Sequence, residues 1–414
     1  MMLIISRQHE LTFFFLLFHL LLFFANQVSS QGNGFVYTKG RGIYSSNGEK
    51  ILLKGINLGN WLLPEGYMFK FKNANSPRLI EKVFNELIGP EETKAFFKTF
   101  RDNYITKEDI EFIKKAGFNS IRVPFNSRLF AEESFPDYFI PTGFEMLDRV
   151  ISWCEEFGIY VILDMHGAPC GQTGDNIDDS WGYPFLFESP ECQKLTINIW
   201  GKIAERYKEK NIVAGYDLLN EPIAHYFDAS KLNPLLEPLY KKIVKTIREV
   251  DSNHIIFLGG AQWNTNFSVF GPPFDSNLVY TFHKYWCDTT QEVIQEYIDF
   301  REKYNVPIWM GESGENTNEW INSFRQLLGR NKIGWCFWPY KKLDAASCVA
   351  SINKTSEFDS IIVYADKPRT TFQEIRGART SEEIIKKALH DYLENMKFRN
   401  CVINKEYLKS LGLE

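Results

Sequence analysis

Residues 213–222 read VAGYDLLNEP, and they join a core strand to a polar end. The stretch from Tyr216 to Leu219 suits a buried strand, because strands covered on both faces are nearly continuous in apolar residues. Asn220, Glu221 and Pro222 follow directly at its carboxyl end. An amide and a carboxylate at this point indicate either a capped loop with an ion pair or a reactive site.

Seven other short runs are rich in β-branched and aromatic residues and share this strand character. Longer segments between them have the apolar spacing of amphipathic helices. Eight such strands with helical crossovers predict a parallel sheet closed into a (β/α)8 barrel. A doubly wound open sheet is the alternative, although no GxGxxG motif follows the first strand. The seven runs are ILLKGINLG from Ile51, SIRVPF from Ser120, YVILDMHG from Tyr160, IIFLGG from Ile255, LVYTFHKYW from Leu278, VPIWMGESGE from Val306 and IGWCFWPY from Ile333.

The first 30 residues predict a processing segment. Arg7 precedes the apolar run LTFFFLLFHLLLFFA at residues 11–25, and the small residues Ser29 and Ser30 follow. This arrangement is typical of a secretory signal peptide, and the run is shorter than the roughly 20 residues of a membrane span. We expect residues 1–30 to be removed and the protein to be secreted, without membrane association afterwards. An uncleaved membrane anchor is the alternative.

Residues 31–414 are expected to form one barrel domain with a C-terminal helical extension that includes TSEEIIKKALHDYLENM from Thr380. Residues 62–106 form a long insertion after the first strand, where loops often wall an active-site cleft. Seven cysteines without a CxxC pair predict one or two disulfides and no zinc site. The formal net charge of −5 argues against nucleic acid as a partner. We expect a monomer.

Polar and aromatic side chains stand at or just after the ends of six predicted strands. In a (β/α)8 barrel these ends meet at one mouth, where reactive groups gather. Any one of these residues alone would be an ordinary ion pair or a satisfied core residue, so their joint occurrence carries the prediction. They are Arg122, His166, Asn220, Glu221, His283, Tyr285, Glu312 and Trp338.

Glu221 and Glu312 stand at the ends of the fourth and seventh strands and would face each other across the mouth. Two facing carboxyl groups can cleave a glycosidic bond: one gives a proton to the leaving oxygen and the other acts on the sugar carbon. Arg122 and Tyr285 are expected to stabilise the charged form of Glu312. Glu221 would then be the carboxyl that keeps its proton.

Six motifs occur in order between about Lys54 and Lys341, namely IRVPF, DMHG, LLNEP, FHKYW, GESG and FWPYK. As a set they resemble glycoside hydrolase family 5, which comprises retaining β-glycanases on (β/α)8 barrels. The resemblance implies Glu221 as the general acid/base and Glu312 as the nucleophile. The other implied roles are support of the nucleophile by Arg122 and Tyr285, binding of the sugar 2-hydroxyl by Asn220, lining of the reacting subsite by His166 and His283, and a stacking floor at Trp338. The resemblance implies no metal and no organic cofactor.

Two further stretches, KGINLGNWL and HGAPCGQTGDN, look most like the exo-β-1,3-glucanase branch of this family. Cys170 stands where that branch usually has glycine, and the loop beginning LPEGYMFKF also differs. The resemblance favours β-1,3- or mixed-linked glucan as the substrate, then β-1,4-glucan, with mannan third. A non-catalytic carbohydrate-binding barrel is the alternative from another class. A metal-dependent hydrolase is disfavoured because His166 and His283 stand on separate strands without an HxH pair.

Several side chains near the strand ends have both a sugar-binding and a structural interpretation. Asp164 shares a strand face with His166 and is expected to support it. An aromatic ring near the mouth either stacks on sugar or packs in the core. A loop carboxylate either contacts substrate or is solvated. The residues left open in this way are Trp61, Trp263, Trp286, Asp175 and Asp179.

Overall fold

The computed structural model describes residues 34–414 and contains a closed barrel of eight parallel strands. Each strand pairs in parallel with the next one, and the last pairs with the first. The prediction of a (β/α)8 barrel is confirmed. The expected signal peptide, residues 1–30, lies outside the described residues. The strands are β1 (Lys54–Asn57), β2 (Ser120–Asn126), β3 (Tyr160–Gly167), β4 (Val213–Asp217), β5 (Ile255–Gly259), β6 (Leu278–His283), β7 (Ile308–Glu312) and β8 (Gly334–Phe337).

Helices connect the strands and cover the outside of the barrel. Between β5 and β6 the described chain has only short turns, and Gln262 and Trp263 there have the left-handed φ values of 48° and 64°. The helices are α1 (Pro77–Ile88), α2 (Pro90–Tyr104), α3 (Lys107–Lys115), α4 (Pro141–Phe157), α5 (Pro190–Tyr207), α6 (Ala229–Arg248), α7 (Glu292–Tyr304), α8 (Asn318–Arg330), α9 (Ser356–Asp366), α10 (Phe372–Ala378), α11 (Glu382–Asn395) and α12 (Lys405–Ser410). Among the described helices, none has the length and apolar character needed to cross a bilayer.

Two clusters of buried apolar side chains stabilise the barrel. A smaller cluster of buried side chains includes Ile162, Phe257 and Trp309, and a larger one packs the helices against the strands. The smaller cluster also includes Ile43, which lies in an N-terminal hairpin, and Val36, which directly precedes that hairpin. Burial of this apolar area is the main stabilising contribution to such a fold.

The insertion after β1 forms α1 and α2, which pack against the helices at the C-terminal end of the chain. The rings of Phe100 in α2 and Tyr392 in α11 lie parallel, with centroids 6.3 Å apart. A buried ion pair joins Lys341, just after β8, to Asp109 in α3 at 2.7 Å. Lys341 also donates to the carbonyl of Met396, so one side chain ties the barrel to the C-terminal helices.

Candidate active site

The eight side chains expected at the barrel mouth lie together at the carboxyl ends of the strands. The two-residue period of β3 explains part of this placement, because Ile162, Asp164 and His166 share the face that points into the barrel. All of the eight are buried except Tyr285, which is half-buried. Glu221 and Glu312 each keep 5% of their surface exposed. Charged groups are therefore gathered in a place that little water reaches.

Glu312 receives two hydrogen bonds from opposite sides. The Arg122 guanidinium donates to Oε1 at 2.5 Å, and the Tyr285 hydroxyl donates to Oε2 at 3.1 Å. Both donors favour the ionised carboxylate. Glu312 thus has the surroundings that an attacking carboxylate needs.

Arg122 is the central cation of the site and is fully buried. Besides Glu312, it binds Asp217 at 2.8 Å, Asn57 at 3.1 Å and Asp164 at 3.1 Å. Burial alone would lower the pKa of Arg122, but the surrounding carboxylates raise it above its ordinary value. A rigid fork of donors of this kind fixes the directions of several acceptors at once.

A chain of hydrogen bonds leads from Arg122 through Asn220 and His166 to Asp164. Arg122 donates to Asn220 Oδ1 at 2.9 Å, and Asn220 Nδ2 donates to His166 Nε2 at 3.2 Å. His166 Nε2 is then an acceptor, so Nδ1 carries the proton and donates it to Asp164 at 2.7 Å. Burial lowers the pKa of His166 to about 3, which keeps the ring neutral. One N–H of the Asn220 amide remains for another partner.

Glu221 follows β4 in a left-handed conformation with φ of 44°, which is unusual for a residue with a side chain. Its Oε1 lies 2.7 Å from His283 Nδ1. The amide nitrogen of Asn264 is 3.1 Å from the other ring nitrogen, so that nitrogen accepts and Nδ1 donates to Glu221. His283 therefore orients Glu221 directly, a contact that the sequence does not indicate.

The two carboxyl groups approach each other closely. One oxygen of Glu221, one of Glu312 and His283 Nδ1 all lie within 4.8 Å of one another. A cation would meet three donors here, but the hydrogen bond between His283 and Glu221 already uses two of them.

The two carboxyl groups titrate differently because their partners differ. Burial raises the pKa of Glu221 well above its ordinary value, and the nearby charge of Glu312 raises it further. Burial also raises the pKa of Glu312, while the charge of Arg122 opposes that rise. The proton shared by such a pair stays on Glu221, and Glu312 ionises first.

Trp338 is buried beside these groups. Its ring stacks on His166 with 5.5 Å between centroids, and its indole nitrogen donates to the Tyr67 hydroxyl at 2.6 Å. Gly59 lies directly against the indole, since a Cβ there would come within 2.4 Å of it. A side chain at position 59 would displace Trp338.

Glu65, on the insertion after β1, is a further buried carboxyl group that the sequence interpretation missed. It is 1% exposed, and its Oε1 has no hydrogen-bond partner among the described residues. Burial raises the pKa of Glu65 well above its ordinary value, and the charges of Glu312 and Glu315 add to the rise. The signal was the quoted segment LPEGYMFKF, in which Glu65 is the only acid.

The loop after β3 holds the segment that carries Glu221, and this too was missed. Gln172 donates to the carbonyls of His166 at 2.7 Å and Asn220 at 2.8 Å, and Thr173 donates to the carbonyl of Glu221 at 2.8 Å. The loop is tied to α5 by a disulfide between Cys170 and Cys192. This bond explains the cysteine at position 170 in place of glycine.

The residues left open by the sequence divide between structural and exposed positions. Trp61 is buried and donates to the carbonyl of Arg101 at 2.8 Å, which agrees with the core-packing interpretation. Asp179 is buried and binds Arg78 and Arg128, so it does not lie in a solvated loop. Trp286 is 72% exposed.

The remaining two residues lie on the loops that follow β3 and β5. Asp175 accepts from Tyr226. Trp263 is half-buried, and its indole N–H has no partner among the described residues.

Comparison with known proteins gives a family match over the barrel. The model of the family Cellulase (glycosyl hydrolase family 5) matches residues 83–344, more than half of the chain. Among solved structures, Thermotoga maritima Cel5A in complex with mannotriose has a TM-score of 0.52 at 19% identity, covering 87% of this chain and 97% of the other. At that identity the likeness concerns the fold alone.

The curated relatives are named after different glycosidase activities. A β-xylosidase of Phanerodontia chrysosporium is 28% identical over 346 residues, which cover 75% of this chain and 71% of the relative. Endoglucanase C of Acetivibrio thermocellus is 27% identical over 313 residues, covering 61% and 88%. A probable glucan 1,3-β-glucosidase A of Aspergillus fumigatus is 29% identical over 211 residues, covering 50% of this chain and 49% of the relative.

Proposed function

The chain belongs to glycosyl hydrolase family 5, and on this premise we propose that it is a retaining glycoside hydrolase that cleaves β-glucosidic bonds in a glucan by double displacement. Glu312 is the nucleophile and Glu221 is the general acid/base. The observation that supports this proposal most strongly is the distance below 4.8 Å between carboxylate oxygens of the two residues. Retaining enzymes have carboxyl groups about 5 to 5.5 Å apart, and inverting enzymes leave a wider gap for water.

In the first step, Glu312 attacks the anomeric carbon of a sugar lying over Trp338. The bond from that carbon to the leaving oxygen breaks, and Glu221 gives its proton to this oxygen. Arg122 and Tyr285 hold Glu312 in its ionised form and in position. The free N–H of Asn220 faces the sugar 2-hydroxyl, where hydrogen bonds strengthen toward the transition state.

In the second step, the ionised Glu221 takes a proton from water as the water attacks the glycosyl-enzyme. The bond to Glu312 breaks, the sugar leaves with retained configuration, and both carboxyl groups return to their starting states. His283 keeps Glu221 in place through both steps by its 2.7 Å hydrogen bond.

A β-glucan is the favoured substrate, with β-1,3- or mixed linkage before β-1,4 linkage. Two of the relatives are named an endoglucanase and a glucan 1,3-β-glucosidase. The segments KGINLGNWL and HGAPCGQTGDN support the second of these names. Mannan on the same scaffold comes third.

A β-xyloside is the second candidate substrate. The relative named β-xylosidase covers 75% of the chain, more than either glucanase relative. A xylosyl unit lacks only the exocyclic hydroxymethyl group of glucose, so both sugars would meet the same catalytic pair. The two candidates differ in whether the pocket accommodates that group.

A product profile tests the proposal. The purified protein is incubated with laminarin, lichenan, carboxymethylcellulose, mannan and xylan, and with 4-nitrophenyl β-glucoside and β-xyloside. We expect release of glucose or glucan oligosaccharides. NMR should show that the anomeric configuration of the product is retained. If the protein cleaves only the xylosides, the proposed substrate changes from a glucan to a xylan. No turnover on any of them, with sugar still bound, would mean a non-catalytic carbohydrate-binding barrel.

We also propose that residues 1–30 are removed as a signal peptide and that residues 31–414 are secreted as a monomer. The apolar run at residues 11–25 supports removal of the signal peptide and secretion. N-terminal sequencing of the protein from culture medium and its mass in solution test both statements. Finding the protein in a membrane fraction with residues 1–30 retained would contradict cleavage and secretion. A mass in solution of two or more chains would contradict the monomer.

A further inference from the structure

A cavity of about 230 Å³ lies between the helices of the insertion after β1 and the barrel. Its walls come from α1, α2 and the loops after β1 and β2. None of the eight mouth residues lines it, so the proposed glycan reaction leaves it unused. We call it the insertion cavity, and its lining includes Trp61, Leu62, Phe97, Phe100, Arg101 and Leu129.

The insertion cavity has a wall of apolar side chains that the core holds in place. Trp61 and Leu62 are each 1% exposed, and Phe100 is fully buried. The hydrogen bond from the Trp61 indole to the carbonyl of Arg101 fixes the ring. An apolar cavity of roughly 150 Å³ is enough to hold benzene. The insertion cavity therefore has room for one ring with a short chain.

One cation in the insertion cavity has no acceptor. Arg101 is half-buried, and its guanidinium makes no hydrogen bond or ion pair with any residue from 34 to 414. Each other arginine in that range that is not exposed has at least one acceptor. Burial lowers the pKa of Arg101, so the surrounding charges do not offset its partial removal from water. Because buried charges are normally paired, this guanidinium indicates a site for an anion.

The other charged groups around the insertion cavity are paired or face solvent. Arg128 binds Asp179 at 2.9 Å and Glu81 at 3.1 Å. Lys94 pairs with another residue of α2 on the surface. Glu132 is exposed, so water screens its charge. The unpaired guanidinium is therefore the group that selects the charge of a bound molecule.

We propose that the insertion cavity binds a small organic carboxylate with an apolar body. The carboxylate pairs with Arg101, and the ring or chain of the ligand lies against Trp61 and Phe97. A guanidinium can bind a carboxylate through two parallel hydrogen bonds, and partial burial shields such a pair from salt. No covalent bond is made or broken, and the inference does not depend on the proposed catalytic roles.

Calorimetric titration of the purified protein with 3-phenylpropionate tests the proposal. The neutral 3-phenylpropionamide has nearly the same shape and isolates the effect of the charge. Acetate and sulfate carry charge without an apolar body. We expect one site per chain, with 3-phenylpropionate bound at least tenfold more tightly than the amide, acetate or sulfate.

Variants at position 101 separate recognition of the charge from folding. Arg101→Met should weaken binding of 3-phenylpropionate at least tenfold and leave the affinity for the amide within twofold of the wild type. Arg101→Lys keeps the charge and should lose less affinity than Arg101→Met. Thermal unfolding of ligand-free Arg101→Met should match the wild type, because no hydrogen bond of the guanidinium is lost. Arg330→Met, at an exposed position of α8, is the matched control and should bind normally.

The outcomes distinguish this inference from the proposed function. Equal affinities for 3-phenylpropionate and its amide, or unchanged binding by Arg101→Met, would overturn the carboxylate site. Sulfate bound as tightly as 3-phenylpropionate would mean a simple anion site and would also overturn it. Displacement of 3-phenylpropionate by laminaribiose would place the ligand in the catalytic mouth, with the same consequence. Charge-dependent binding by a protein that cleaves no glycan would support the inference and contradict the proposed function.

Discussion

Glu221 and Glu312 are the same amino acid in two environments, and the difference lies in their hydrogen-bond donors. Glu312 accepts from a guanidinium and a phenol, whereas Glu221 meets one neutral imidazole. Burial raises the pKa of both, and the cation limits the rise at Glu312. The charge of Arg122 therefore separates the pKa values of the two carboxyl groups, as the proposed acid and nucleophile require.

Glu312→Gln should remove activity and leave stability nearly unchanged. The substitution keeps the shape of the side chain and deletes the attacking charge. Less than a tenfold loss of kcat/KM, or about 1.4 kcal/mol of activation free energy, would contradict the role. Glu319→Gln, the same substitution on the exposed side of α8, is the control for kcat/KM and for thermal unfolding.

Glu221→Ala should spare substrates with good leaving groups, because these need little proton donation. A large loss is expected for alkyl β-glucosides and a small one for 2,4-dinitrophenyl β-glucoside. Steady-state kinetics on both substrates checks this expectation. Equal losses on the two would count against Glu221 as the acid.

Glu65→Gln should stabilise the protein increasingly as pH rises. Burial raises the pKa of Glu65, so the folded protein keeps a proton that the unfolded chain releases above about pH 4. Below that pH both states hold the proton and nothing is lost. Above it, stability falls by up to about 1.4 kcal/mol per pH unit until the folded pKa is passed.

Thermal unfolding from pH 4 to pH 8 measures this effect. The melting temperature of Glu65→Gln minus that of the wild type should grow across the range. The control Glu108→Gln alters an exposed carboxyl on α3. A difference that is flat or shrinks with pH would show that Glu65 ionises normally in the fold.

At the scale of elements, the loop from 168 to 174 acts as a frame for the end of β4. Gln172 is fully buried and binds three backbone groups, the carbonyls of His166 and Asn220 and the amide of Ala168. Thr173 binds the carbonyl of Glu221, whose left-handed backbone needs such support. The frame connects two strand ends that each carry active-site groups.

Gln172→Ala should impair proton donation more than nucleophilic attack, because it frees the segment that carries Glu221. We expect kcat/KM to fall more for alkyl β-glucosides than for 2,4-dinitrophenyl β-glucoside. Stability should also fall, by about 1 to 3 kcal/mol for unpaired buried groups. Gln326→Ala on exposed α8 is the control. An equal loss on both substrates would mean a purely structural role.

At the scale of the whole molecule, one buried cation connects the barrel with the C-terminal helices. Lys341 pairs with Asp109 and donates to the carbonyls of Tyr104 and Met396. All of these groups are taken out of water, so each depends on the others for a partner. The helices after β8 are thus integral to the folded barrel.

Lys341→Met should destabilise the fold by about 3 to 5 kcal/mol, because Asp109 is left buried without its cation. Urea unfolding followed by circular dichroism measures the change. Adding Asp109→Leu should recover part of the loss, since the buried charge is then gone. Lys405→Met at an exposed position is the control. A loss under about 1 kcal/mol would show that the ion pair contributes little.

The eight strands and the eight expected mouth residues were accessible from sequence because they depend on local pattern. An apolar run such as Ile255–Gly259 predicts a strand. The geometry of the barrel then places the carboxyl ends of all the strands at the same mouth. The placement of Arg122, Glu221 and Glu312 together follows from that rule.

Tertiary structure alone decided the contacts between segments far apart in the chain. It placed Trp61 in the core, paired Cys170 with Cys192, and left Oε1 of Glu65 without a hydrogen-bond partner among the described residues. It also gave His283 to Glu221 as a hydrogen-bond partner. Periodicity reports which face of an element is buried. The neighbour across that face depends on the packing of the whole chain, and this neighbour sets each side chain's hydrogen bonds and charge.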